Sequence, residues 1–162
     1  ITGGPRTGES DDHATWGVAA MPDVAAATEV PRVRSGPPFP TFTQHLAYQP
    51  VSGLPLSGAP AATSGWLAYG EPTPLDAAAL LALVDGWWTA NVVRASGMPR
   101  IATVNFLATL LVDPATLDPA VPLFSQSWVA AAHEGFTSEH RTLWAPDGRL
   151  VVDNVQTVVV GA

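Results

Sequence analysis

The sequence predicts an α+β fold in which an antiparallel sheet wraps around one long central helix. Three observations carry that prediction. One long helical pattern stands out, TPLDAAALLALVDGWWTANVVRASG from Thr73 to Gly97. Its apolar side chains, from Leu80, Leu81, Leu83 and Val84 on to Trp87, Trp88, Val92 and Val93, surround it rather than forming one stripe, so sheet should cover it on most sides. Everything after Gly97 reads as strands and turns.

The helix has its own punctuation. Thr73 with Asp76 three positions on forms a capping box, with Asp in place of the usual Glu, and Pro74 sits where no amide donor is lost. Gly97 supplies a stop and Pro99 follows it. The span is about 22 residues, roughly 33 Å at 1.5 Å rise. Asp85 is the misfit. Its neighbours three and four positions away are Leu81, Ala82, Trp88 and Thr89. A carboxylate on that surface is costly to bury and is a poor helix former. It either points to a gap or to solvent beside Gly86, or it is there for chemistry.

Residues 1–38 are rich in Gly, Pro, Ala and Ser and have no sustained period. They read as a linker, a remnant of a preceding module, or a surface-wrapping segment, with a short strand at Ala14–Ala19. Asp11, Asp12 and His13 read as a solvated polar start rather than a metal site. Phe42–Gln49 alternates as a first strand, with His45 a hydrogen-bonded strand histidine, and Trp66–Tyr69 is a second, ended by Gly70 and Pro72. After the helix comes Arg100–Val112. One face is Ala102, Val104, Phe106, Ala108, Leu110 and Val112; the other begins Ile101, Thr103, Asn105. Leu123–Ala132, Phe136–Trp144 and Arg149–Val160 follow, the last two joined by the turn Pro146-Asp147-Gly148. These four strands are expected to form a meander. A sheet curled around one buried helix is the hot-dog arrangement, here spanning residues 39–162.

Composition narrows the function. A chain of 162 residues is one domain with a real core, and with 47% hydrophobic and 13% charged residues it is sparsely charged. A formal charge of -7 argues against nucleic acid and anionic membrane surfaces. All 7 basic residues are Arg, a compositional bias without functional content. With no Cys, disulfides and thiol chemistry are excluded. No apolar run reaches the length of a membrane span, and the first residues lack the basic flank and apolar centre of a signal peptide. The expectation is a cytoplasmic protein. The chain begins at Ile1 rather than Met, as a fragment or processed piece would.

Three separated pieces then line up. Leu83-Val84-Asp85 in the helix, Ile101-Ala102-Thr103-Val104-Asn105 at the start of the next strand, and Leu150-Val151 with Val155-Gln156 in the last strand resemble the acyl-CoA thioesterase II type of hot-dog thioesterase. The resemblance covers roughly Phe39 to Val160. It implies hydrolysis of acyl-CoA to free acid and coenzyme A, with Asp85, Thr103 and Gln156 positioning the attacking water. It implies no metal and no cofactor, coenzyme A entering only as part of the substrate. Such proteins usually hold two hot-dog modules in tandem. This chain matches the second, so pairing with another module, as a homo-oligomer or with a split partner chain, is expected. Asn105 stands where relatives often have an acid.

The chemistry suits these residue types. A carboxylate accepts the proton of the attacking water, and partial desolvation by Leu81 and Trp88 would raise its pKa. Thr103 and Gln156 orient the same water through hydroxyl and amide groups. A backbone N–H near the helix or in an adjoining turn is the expected oxyanion donor. Trp87 and Trp88 are expected in core and interface. Arg94 and Arg100 flank the helix exit, where they either meet coenzyme A phosphates or simply cap the helix end in solvent. The alternative is a non-catalytic hot-dog module that binds acyl groups or serves as a dimerisation scaffold. A hydratase of this fold is disfavoured, because no His lies between His45 and His133.

Overall fold

The computed structural model describes residues 20–37 and 39–161. The Ala14–Ala19 strand and the Asp11–His13 cluster expected from sequence lie outside them. Six strands are arranged around a broken helix: β1 Leu46–Ser52, β2 Ala62–Tyr69, α1 Ala77–Gly86, α2 Ala90–Arg94, β3 Arg100–Leu110, β4 Leu123–His133, β5 Phe136–Trp144 and β6 Leu150–Gly161. The strands form one antiparallel sheet in the order β1-β2-β4-β5-β6-β3. This is the hot-dog arrangement expected from the sequence.

The buried face of α1 explains why the sheet curls around it. Leu80, Leu83, Val84 and Trp87 pack against Leu67 of β2, Leu123 of β4, Leu143 of β5 and Val152 of β6 in one core cluster. Leu67 faces Leu123 and Leu143 faces Val152 across their ladders, while Leu143 is opposite Ser125 and so only diagonal to Leu123; together they form an apolar floor.

Four expectations are corrected. The helix begins after Asp76, whose side chain accepts from the Ala79 N–H at 2.7 Å, so Asp76 itself is the N-cap. The Thr73 hydroxyl instead donates to the Glu71 carbonyl. The helix is also interrupted at Trp87–Thr89. The first strand starts at Leu46, because Thr41–His45, which includes His45, is a 3-10 turn. Finally, β3 does not lead into the meander. Its connection to β4 carries two Asp-Pro pairs, each turning the chain locally, and runs past a hairpin's length. So β3 lies on the free side of β6, and only β4, β5 and β6 follow one another.

The other face of the sheet has its own cover. Trp66, Phe124 and Trp144 are buried beneath Met21, Val24, Ala27 and Val30. Trp66 Nε1 donates to the Ala25 carbonyl at 2.9 Å, and Gln49 Nε2 donates to the Val30 carbonyl at 2.6 Å. The segment then crosses the β1 edge, where the Val33 N–H meets the Tyr48 carbonyl at 2.8 Å. One sheet edge is thereby covered. The β3 edge carries no strand partner among the described residues, and Val104 and Leu107 stand 62% and 66% exposed there. Among the described residues no helix is long and apolar enough to cross a membrane.

Candidate active site

The helix break sets the site. Carbonyls at the end of an α-helix lose their intrahelical donors and need others. Here the sheet supplies them. Arg141 Nη1 lies 3.2 Å from the carbonyl oxygens of Val84, Asp85 and Trp87, and the Tyr48 hydroxyl donates to the Gly86 carbonyl at 2.7 Å. Burial pushes the Tyr48 phenol pKa up, so it keeps its proton and remains a donor. Thr89 then caps α2, its hydroxyl accepting from the Asn91 N–H. Asp85 therefore sits in the last turn of a short helix, not midway along a long one.

Asp85, Thr103 and Gln156 are brought together. Gln156 Nε2 donates to Asp85 Oδ1 at 3.1 Å, and the Thr103 hydroxyl donates to Gln156 Oε1 at 3.4 Å. The orientation of Gln156 is enforced from behind. Asn154 Nδ2 donates to the Leu107 carbonyl at 2.8 Å, which turns Asn154 Oδ1 toward Gln156 Nε2 at 2.9 Å. With both amide hydrogens of Gln156 committed, its carbonyl end must face Thr103. Gln156, Asn154 and Val158 share a buried face, as alternation along β6 predicts.

Thr103 reaches that face by a bulge. It pairs with Val158, but Asn105 pairs with Thr157, leaving Val104 as the extra residue. Thr103 thus points to the helix side and Asn105 to the opposite side. The sequence expectation that Thr103 and Asn105 share a face fails for this reason, as does the placement of Ala102 with Phe106.

Strict alternation on β5 brings in two charged residues the sequence reading did not single out. Glu139 is opposite Gln156, and Arg141 opposite Asn154. Both are buried, Glu139 completely. Arg141 Nε donates to Glu139 Oε1 at 2.8 Å, and Arg141 Nη1 approaches Asp85 Oδ1 at 3.4 Å. Glu139 Oε2 accepts from the Thr89 hydroxyl and from Asn91 Nδ2, the latter also donating to Thr137 Oγ1. The same period-2 count applied to Thr137-Ser138-Glu139-His140-Arg141 places both charges on the inner face beside Leu143, a signal available in the sequence.

Asp85, Thr103 and Arg141 open onto a cavity of about 580 Å³. Its walls are apolar and aromatic, including Phe39, Phe42, Trp88, Met98, Ile101 and Val158. Gln156 lies beneath, with no exposed surface. Asp85 Oδ1 accepts from both Gln156 and Arg141, and no described side chain or backbone group donates to Oδ2. The Asp85 side chain is 56% exposed. The side chain is therefore only partly withdrawn from water, and the Trp88 indole is not among its hydrogen-bond partners. The Trp88 indole instead stacks on Trp87 at 4.3 Å and donates to the Gly53 carbonyl. Trp87 is core, as expected. Arg94 and Arg100 are both exposed at the exit of α2 and the start of β3. Among the described residues no three His, Asp or Glu side chains gather as a metal-ligand group.

The family model for the acyl-CoA thioesterase C-terminal domain matches residues 17–160. The chain belongs to this family. As an acyl-CoA thioesterase C-terminal domain, it includes in the family match the segment that covers the outer face of the sheet. No curated protein matches the sequence. Among solved structures it is similar to a conserved hot-dog protein of unknown function from Alicyclobacillus acidocaldarius, at 29% identity and a TM-score of 0.82, over 95% of this chain and 58% of that one. An acyl-CoA thioesterase II, TesB2, from Mycobacterium marinum shares the fold at 15% identity and a TM-score of 0.67, over 96% of this chain and 58% of that one. A tesB protein from Mycobacterium avium subs. paratuberculosis does so at 12% identity and a TM-score of 0.69, over 90% and 55%. The thioesterase domain described here therefore spans less than two thirds of the length of each of these structures.

Proposed function

We propose that this domain hydrolyses acyl-CoA thioesters to free acid and coenzyme A, with Asp85 as general base. The observation that carries the reading is the asymmetric use of one carboxylate. Asp85 Oδ1 is held by Gln156 and Arg141, while Oδ2 is left free beside an apolar cavity. A fixed carboxylate with one open oxygen can accept a proton from a bound water. The water's oxygen then forms a bond to the thioester carbonyl carbon, and the carbonyl becomes an oxyanion. Collapse re-forms the carbonyl and breaks the C–S bond. The departing thiolate takes the proton back from Asp85, so the carboxylate is regenerated and nothing else is consumed. The Thr103 hydroxyl, at the cavity wall, helps place the water. Gln156, sealed below, acts by holding Asp85 and Thr103 rather than by touching the water. The acyl chain lies against Phe39, Phe42, Trp88 and Ile101.

The same proposal includes a partner. The exposed β3 edge and the half-open Asp85 lie at the side where another hot-dog module would pair, and its approach would exclude water from the carboxylate. That open edge also favours a second reading, a non-catalytic module that binds acyl groups or scaffolds a dimer. Thermal stabilisation by acyl-CoA without turnover is its signature. The deciding experiment takes the protein with any chain that co-purifies and measures thiol release from a panel of acyl-CoAs. Asp85→Ala should lower release about 10²–10⁴-fold, the usual worth of a general base, leaving a small residual rate; full activity in that variant sinks the assignment.

A further inference from the structure

We propose that Arg141, braced by Glu139, is the positioning residue that aims the Asp85 carboxylate, an inference that rests on the reading of Asp85 as general base. The placement of Asp85 needs such a device. A carboxylate in the last turn of a helix meets the partly negative end of the helix dipole and is repelled by it. Half-exposed as it is, Asp85 would rotate toward solvent if only one amide hydrogen of Gln156 held it.

Arg141 removes both difficulties from one side. The two hydrogens of its Nη1 are shared among the carbonyls of Val84, Asp85 and Trp87 and Asp85 Oδ1, all within 3.4 Å. Its Nε is spent on Glu139, which fixes the plane of the guanidinium. Glu139 in turn grips the start of α2 through Thr89 and Asn91. One buried ion pair thus clamps both sides of the helix break, Arg141 the outgoing end and Glu139 the incoming one. A pair needed only to fill the core could be replaced by apolar side chains without loss of stability. This pair instead ends on Asp85, the one carboxylate among the described residues that opens into the cavity.

The test is a double-mutant cycle on thiol release from acyl-CoA, with kcat and KM separated and folding checked by circular dichroism. Arg141→Met should lower kcat on the order of 10²-fold, the loss that follows a misplaced group, with KM little changed. Arg141→Lys should not restore it, because an ammonium cannot hold Glu139, the helix-end carbonyls and Oδ1 together. In an Asp85→Ala background Arg141→Met should remove nothing further, since there is no carboxylate left to aim. If Arg141→Met does not fold, Glu139→Gln, which keeps the shape and loses the brace, is put through the same cycle. Losses that add fully in the Asp85→Ala background, or a folded Arg141 variant with unchanged kcat, overturn the role of Arg141 alone. No thiol release from the unsubstituted protein overturns the hydrolase reading and this inference with it.

Discussion

The side-chain amide of Gln156 donates to Oδ1 of Asp85 at 3.1 Å, tying the middle of β6 to the last turn of α1. Because Asn154 orients that amide, its effect on activity should be visible at a distance. Asn154→Ala leaves the Leu107 carbonyl without its donor and frees Gln156 to turn over. Its kcat should fall about 10-fold, and Gln156→Ala should fall further, on the order of 10²-fold or more. The stability cost of Asn154→Ala should be about 1–3 kcal/mol, that of a buried group left unpaired. Thiol-release kinetics beside chemical denaturation separate the two effects. An Asn154→Ala variant with unaltered kcat would show that Gln156 is held without it.

Tyr48 gives a pH-dependent prediction. Its phenol pKa is raised in the folded state by burial. The hydroxyl is neutral in both states below the ordinary tyrosine pKa of about 10, so stability is fully present there. Above that, the unfolded chain ionises first and stability is lost as pH rises. Tyr48→Phe loses the bond to the Gly86 carbonyl and should be less stable than the parent by about 1 kcal/mol at pH 8. The gap should shrink as pH climbs past about 10, since Phe has nothing to ionise. Tyr69, raised by burial and by Asp76, keeps some alkaline slope in both proteins. Denaturation midpoints across that range decide it; a constant gap would show that Tyr48 ionises with equal ease in both states.

These residues also show what the sequence could and could not convey. The helix was legible because Leu80, Leu83, Val84 and Trp87 recur at helical spacing as one apolar face, and the strands because alternation held from Phe136 to Trp144 and Leu150 to Val160. Asp85 and Gln156 were legible as polar groups on apolar surfaces. The helix break was not. It depends on Thr89 acting as a second cap and on Arg141 and Tyr48 satisfying freed carbonyls from distant strands, contacts that no local pattern encodes. The bulge at Val104 was hidden for the same reason. A one-residue slip leaves alternation intact on paper while reversing every face before it. The outer cover of residues 21–30 was obscured by low periodicity, since its apolar residues pack singly onto Trp66, Phe124 and Trp144.

The floor beneath Trp87 should be intolerant in one direction and tolerant in another. A Cβ on Gly65 would lie 2.5 Å from Trp87 Cη2 and 2.5 Å from the Gln49 carbonyl oxygen. One of those neighbours is backbone, so Gly65→Ala must shift either β1 or the indole. A loss of about 1–3 kcal/mol or more is expected. Ser125 and Ser127 beside it are fully buried, and neither hydroxyl has a hydrogen-bond partner among the described residues. Ser125→Ala should therefore be neutral or stabilising by up to about 1 kcal/mol. Urea denaturation of both variants tests the pair. A Ser125→Ala loss larger than that would mean the hydroxyl holds a bonded water.

The two edges of the sheet lead to the last prediction. The β1 edge is covered by the segment through Val33, whereas β3 presents Val104 and Leu107 to solvent with no strand beside them among the described residues. An apolar edge of that kind templates pairing, and a charge there blocks it. Leu107→Lys should leave the stability of the single module within about 0.5 kcal/mol, because the side chain is exposed there. If a second hot-dog module docks on β3, the same change should reduce the mass measured by light scattering to that of one module. It should also remove the Asp85-dependent thioesterase activity, because the carboxylate would stay wet. If the unsubstituted protein is already single and active, the site is complete within one module and the proposed partner falls.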